Sequence, residues 1–173
     1  MKSNKLYIIC GLPFSGKSYI SKELQRELGG RIVGRDAIYF DIGGEFMLEE
    51  TPEEDDDFLW DALWPVAVQS AKNILLTGEN VIFDDVCLQR ARRDELREMA
   101  EKLGVESRLI FLDIPLEVTK ERKFANKESK TRHDVPSAWL EADYIEFEPP
   151  EKDESPVIKK PETSLEEVLE KIK

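Results

Sequence analysis

Histidine occurs once in these 173 residues, at His133, and cysteine twice, at Cys10 and Cys87. The cysteines lack the Cys-x-x-Cys spacing of a redox or zinc site, and the histidine has no partner ligands in the sequence. The chain therefore reads as cytoplasmic, with reduced thiols and no protein-built transition-metal centre. No apolar run reaches the length of about 18 residues that a membrane span needs. The opening "MKSNKLYIICGLP" has only a short apolar stretch and does not read as a leader. Basic residues are also outnumbered. Lys and Arg number 25 against 37 Asp and Glu, a formal net charge of -12. Such a surface repels nucleic-acid phosphates, so binding of that kind needs a local basic patch. No internal repeat or domain boundary interrupts residues 1–173, which read as one domain large enough to bury a core.

What the chain does have is an alternation of two patterns. "LYIIC" (6–10), "RIV" (31–33), "NVIF" (80–83) and "SRLIFLDI" (107–114) are short apolar runs without strict alternation, as expected of parallel strands covered on both faces. "PVIKK" (156–160) is a weaker fifth candidate. Between them, "KSYISKELQREL" sets Ile20, Leu24 and Leu28 on one helical face, and "RARRDELREMAEKLG" does the same with Leu96, Met99 and Leu103 before Gly104. "TSLEEVLEKIK" opens with a capping box, Ser164 with Glu167. Residues 58–76 read as helix, with Pro65 kinking it or starting a second segment. Strand–helix alternation predicts an α/β fold with a parallel sheet and right-handed crossovers. The acidic "EETPEEDDD" (49–57) is expected to be a solvated connection ending in a helix cap, or else a device that repels wrong substrates. "EPPEKDESP" (148–156) reads as a surface loop and is given no role.

The most specific feature is "GLPFSGKS", residues 11–18. Gly11, Gly16, Lys17 and Ser18 fit Gly-x-x-x-x-Gly-Lys-Ser, with an apolar strand leading in and an amphipathic helix leading out. Glycines let the backbone curl so that successive N–H groups face one concavity, and the helix start adds the positive end of its dipole. Lys17 is expected to reach the β- and γ-phosphates of ATP, and the Ser18 hydroxyl to hold Mg²⁺. Pro13, Phe14, Ser15 and Tyr19 complete the predicted nucleotide contacts.

Three further features bear on where the phosphate goes. Asp36, in "GRDAIYFD", follows the second strand, at the sheet edge where open α/β folds bind ligands. A carboxylate there can take a hydroxyl proton, although aspartate is also an ordinary helix cap. Asp84 and Asp85 end the third strand in "NVIFDDV". Spacing leaves open which of them serves the metal; the reading gives Asp84 to Mg²⁺ and Asp85, with Tyr39, to the acceptor. Finally, "KERKFANKESKTRH" (120–133) carries Lys120, Arg122, Lys123, Lys127, Lys130 and Arg132 against two glutamates. It reads as a solvated helix face or as a mobile lid over the triphosphate, about residues 120–135. Arg122 and Arg132 are its best phosphate ligands because arginine presents a planar fork to phosphate oxygens.

In the order "GLPFSGKS", Asp36, "NVIFDD", "FLDIPLEVTKERKFAN" and "RHDVP", the chain resembles the small P-loop kinases of the polynucleotide-kinase and zeta-toxin-like group, which includes predicted kinases of AAA type. The resemblance implies a three-layer P-loop NTPase with a five-stranded parallel sheet in order 2-3-1-4-5 and a helical lid. It implies Asp36 as the acceptor-activating aspartate and Arg122 and Arg132 as lid arginines. Polynucleotide kinases often carry an arginine three residues after that aspartate, where this chain has Tyr39. The expected activity is thus ATP-dependent phosphorylation of a hydroxyl on a small molecule. The alternatives are an RNA or polynucleotide 5′-hydroxyl kinase, and a regulatory protein that binds ATP without turnover. No Asn-Lys-x-Asp guanine motif supports a GTPase.

Overall fold

The computed structural model describes residues 4–41, 53–129 and 137–173, with backbone alone at 53–59, 127–129 and 137–139. Five parallel strands lie in the order β2-β3-β1-β4-β5. They are β1 (Lys5–Cys10), β2 (Arg31–Val33), β3 (Val81–Asp84), β4 (Glu106–Leu112) and β5 (Val157–Lys159). Ile9 of β1 is opposite Asp84 of β3, and Cys10 is opposite Phe111 of β4. The carboxyl ends of β1, β3 and β4 therefore stop at nearly the same level.

Alternate residues of β1 enter two different cores. Leu6, Ile8 and Cys10 face α3 (Glu53–Leu76) and α4 (Arg90–Lys102) through Trp64, Ala67, Ala71, Leu96 and Ala100. Tyr7 and Ile9 face α1 (Lys17–Leu28) and α7 (Leu165–Ile172) through Ile20, Leu24, Val168 and Ile172. Helices cover both faces, which gives the three layers and explains why the central strands read as unbroken apolar runs. Helix α1 has the predicted bounds. At α7 the Ser164 side chain accepts from the Glu167 N–H while Glu167 reaches back to Ser164, the expected capping box. The remaining helices are α2 (Arg35–Asp41), α5 (Leu116–Ser129) and α6 (Ser137–Glu146). None of the described helices is long and apolar enough to cross a membrane.

Three expectations need correction. Residues 53–57 of the acidic stretch are the first turns of α3 rather than loop, a placement that carboxylates favour because the helix dipole is positive there. The helix runs through Pro65 as one element, so no second segment starts there. The stretch 148–156 is more than a surface loop, because Glu154 is buried and forms a two-pronged ion pair with Arg93 of α4 at 2.7 and 2.9 Å. Cys10 and Cys87 are free and lie in the same core. Burial pushes the Cys10 thiol up to about 12 and raises that of Cys87 well above its ordinary value, so both are inert protonated thiols.

Candidate active site

The phosphate loop leaves β1 at its carboxyl end and turns through left-handed backbone at Phe14 (φ 61°) and Gly16 (φ 106°). Gly16 is the residue before α1 and supplies a conformation that side chains resist. The first N–H groups of α1, at Lys17 and Ser18, have no carbonyl within the helix to bond and are left for a ligand. The Lys17 ammonium donates to the carbonyls of Gly11 and Leu12, at 3.0 and 2.9 Å. It thus rests over the loop and is not built into the core. Ser18 is exposed, whereas Ser15 is buried with no hydrogen-bond partner for its hydroxyl.

Across the loop, the hydroxyls of Ser18 and Ser21 and the ammonium of Lys17 all favour the charged form of Asp84. Burial nevertheless dominates and raises its carboxyl above the usual range. Ser18 and Asp84 together offer two hard oxygen donors, the kind Mg²⁺ takes when phosphate oxygens and water complete its shell. No group of three or more His, Cys, Asp or Glu converges as a protein-built metal cage among the described residues, and such a nucleotide-borne ion does not need one.

Gly34 places Asp36 within this constellation. A Cβ at that position would stand 2.0 Å from the carbonyl oxygen of Asp84. Only glycine lets the start of α2 pass so close to the end of β3. Asp36 sits in the first turn of α2, exposed to solvent but surrounded by protein. Desolvation raises its carboxyl, with Asp85 and Asp84 adding to the effect and Lys17 opposing it.

Asp85, assigned to the acceptor from sequence, is buried and committed to Arg35. The guanidinium donates to its two oxygens at 2.8 and 2.6 Å, and the Arg35 N–H approaches at 3.4 Å. Burial works against this carboxylate, but the arginine overcomes it and holds its pKa below the ordinary value. Arg35 also lies over the rings of Trp60 and Trp64, 5.7 and 5.6 Å from their centroids. Tyr39 is buried with its ring stacked on Trp60 at 5.0 Å. The pair Asp85–Arg35 thus joins the end of β3, the start of α2 and the face of α3, and so fixes Asp36 relative to Asp84.

From the other side, Arg122 of α5 donates to the carbonyls of Phe14 and Ser15, at 3.2 and 2.8 Å. Lys120 pairs instead with Glu141 of α6, and Lys123 is buried. The basic run is therefore divided among different tasks. Arg132, His133 and Lys130 lie outside the described residues. A cavity of about 460 Å³ opens beside the loop, lined in part by Phe14, Tyr19, Arg122, Asn126, Lys159 and Pro161.

Sequence reasoning missed Arg35 and Asp143. Asp143, on α6, lies in the field of Lys17, Arg35 and Asp85, so that helix reaches the same site. Burial pushes its carboxyl up to about 6; Lys17 opposes this and Glu146 adds to it. Because the folded pKa is above the ordinary 3.8, the folded state binds this proton more tightly than the unfolded chain. The resulting stabilisation is present at low pH and is lost as pH rises through 6. Asp143→Asn is therefore expected to raise stability at pH 7 by about 1 kcal/mol, allowing for solvent around this half-buried group. The gain should fade toward pH 4. Melting curves of both proteins at the two pH values check this, and a pH-independent difference would contradict it.

The fold and the loop together define a P-loop nucleoside-triphosphatase domain. The chain belongs to the family described as AAA domain, which matches residues 6–150. No curated protein matches the sequence significantly. Among solved structures, a gluconokinase from Sinorhizobium meliloti is 24% identical with a TM-score of 0.66, covering 98% of this chain and 90% of that one. The Mycobacterium tuberculosis APS kinase CysC, solved with AMPPNP and APS, is 18% identical with a TM-score of 0.67, covering 98% and 96%. Chaetomium thermophilum Kti12, solved with ADP-AlF3, is 17% identical with a TM-score of 0.74, covering 96% of each. At these identities the likeness is one of fold.

Proposed function

We propose that the protein transfers the γ-phosphoryl group of ATP to a hydroxyl of a small-molecule acceptor. The observation that carries this is the placement of Asp36 across from Lys17 and Asp84, held there by Gly34 and by the Asp85–Arg35 pair. A carboxylate in that place can take the proton of an acceptor hydroxyl, a task that nucleotide binding alone does not require. That gluconokinase and APS kinase share the fold supports the reading.

In this reading the loop N–H groups and Lys17 take the β- and γ-phosphates, with Lys17 exchanging its two carbonyl partners for phosphate oxygens. The cavity beside Phe14 and Arg122 receives the nucleoside. Ser18 and Asp84 would hold Mg²⁺, which when bound would neutralise charge on the phosphates. Asp36 orients the acceptor hydroxyl and takes its proton as the oxygen bonds to the γ-phosphorus and the bond to the leaving ADP oxygen breaks. Arg122, on α5, steadies the loop and the charge that develops, and the 120–135 segment acts as a lid that excludes water. Nucleic acid is a poor acceptor for this chain, because it is acidic overall, ATP would occupy the basic run of the lid, and Arg90, Arg92, Arg93 and Arg97 are paired with carboxylates.

The test is ADP release measured over a panel of sugars, nucleosides, aminoglycosides, other antibiotics and 5′-hydroxyl oligonucleotides. Stimulation by a small hydroxyl compound is expected. Faster turnover with oligonucleotides than with every small acceptor would make it a polynucleotide kinase. ATP binding without stimulated turnover would make it a regulatory nucleotide-binding protein.

A further inference from the structure

The turn after β3 is held from an unexpected direction. Cys87 has left-handed backbone (φ 46°), uncommon for a side-chain-bearing residue. The carbonyls of Cys87 and Leu88 both accept from Nη1 of Arg93, at 3.0 and 3.1 Å. Arg93 spends its remaining donors on Glu154, Nε to Oε2 at 2.7 Å and Nη2 to Oε1 at 2.9 Å. Both side chains are essentially inaccessible to solvent, at 1% and 0%. Glu154 is itself fixed, because its Oε1 accepts the Glu151 N–H at 3.0 Å. Within the same turn the Val86 carbonyl accepts from the N–H of Gly11, the first residue of the phosphate loop, at 3.2 Å. The N–H of Glu148 closes on the Leu88 carbonyl at 3.0 Å.

A buried ion pair is seldom more stabilising than well-packed apolar residues of the same volume. An apolar pair, however, cannot donate to two carbonyls of a turn that leaves them without strand or helix partners. We propose that Arg93 and Glu154 are positioning residues for the metal-binding end of β3. By holding the 86–88 backbone, and through Val86 the start of the phosphate loop, they keep Asp84 aligned with Ser18. This rests on the reading above only in that Asp84 and Ser18 serve a magnesium–nucleotide complex. Neither residue is expected to touch nucleotide, metal or acceptor.

The experiment is calorimetric titration of AMPPNP into the full chain, in Mg²⁺ and in EDTA, for wild type, Arg93→Met/Glu154→Leu and Arg93→Lys. The double substitution replaces the pair by apolar side chains of similar size. Arg93→Lys keeps a charge beside Glu154 but loses the fork and the bonds to the turn, and it carries the test if the double variant fails to fold. In a folded variant the Mg²⁺-dependent gain in affinity should fall about tenfold, the lower range for disturbing groups behind a metal ligand. Binding in EDTA should change less than about twofold. A purely structural pair would leave the Mg²⁺-dependent gain intact, and that result in either folded variant overturns the proposal alone. Absence of Mg²⁺-dependent binding to wild type would overturn the nucleotide reading and the proposal with it.

Discussion

Lys17→Ala is expected to lower turnover by about 10²–10³-fold, the range for removing one preorganised donor from a developing oxyanion. ATP affinity should fall with it. The lysine donates to the carbonyls of Gly11 and Leu12 and is only partly buried. Both hydrogen bonds are part-buried, so the loss of stability should be about 1 kcal/mol for each, short of unfolding the protein. Thermal unfolding, calorimetry and turnover on one preparation separate these effects. Unchanged affinity together with unchanged turnover would remove the phosphate-loop assignment. A collapse of stability would instead make Lys17 a structural residue.

Asp36→Asn is the second large effect and reads a different step. The amide keeps the size of the side chain and one hydrogen-bond acceptor but cannot take a proton. General-base help is worth about 10²–10⁴-fold. Because the transition state of phosphoryl transfer is loose and needs little proton removal early on, the loss should be near 10²-fold. ATP affinity should hardly change, because the group lies across the loop and not on it. Stability should rise slightly, since the substitution removes a carboxylate whose charged form is disfavoured by burial and by Asp85 and Asp84. A helix-end role alone predicts near-wild-type turnover, because asparagine serves a helix start about as well as aspartate. That outcome would leave the proton acceptor unidentified.

The parts of this molecule that were legible in its sequence are those written locally. The loop 11–18 and α1 follow from glycine spacing and helical periodicity, and the Ser164–Glu167 box from a three-residue interval. Parallel strands were visible because residues covered on both faces are apolar without alternation; their order came from the resemblance rather than from periodicity. What stayed hidden depends on pairs distant in the chain. Arg35 and Asp85 are 50 residues apart and Arg93 and Glu154 are 61 apart. In sequence each looks like one more surface charge among the 62 of the chain. The Pro/Glu composition of 148–156 argued for solvent, and only the fold shows that Glu154 turns inward to meet a guanidinium. Asp143 was missed for a similar reason, since nothing in "SAWLEADYIE" tells which side of α6 faces Lys17. Asp85 shows the limit of motif logic. Two adjacent aspartates after a strand suggested metal and acceptor, whereas the second is occupied by an arginine that no motif had singled out.

Following the phosphorus distinguishes transfer from binding or idle hydrolysis. ATP labelled at the γ-position would be incubated with the wild-type protein, Mg²⁺ and the acceptor found by ADP release, alongside Asp36→Asn. Transfer with Asp36 as the proton acceptor predicts label recovered as a phosphate ester on the acceptor hydroxyl, formed one-for-one with ADP and about 10²-fold more slowly by the variant. Label recovered only as inorganic phosphate, or ester formed at the same rate by both proteins, would contradict it.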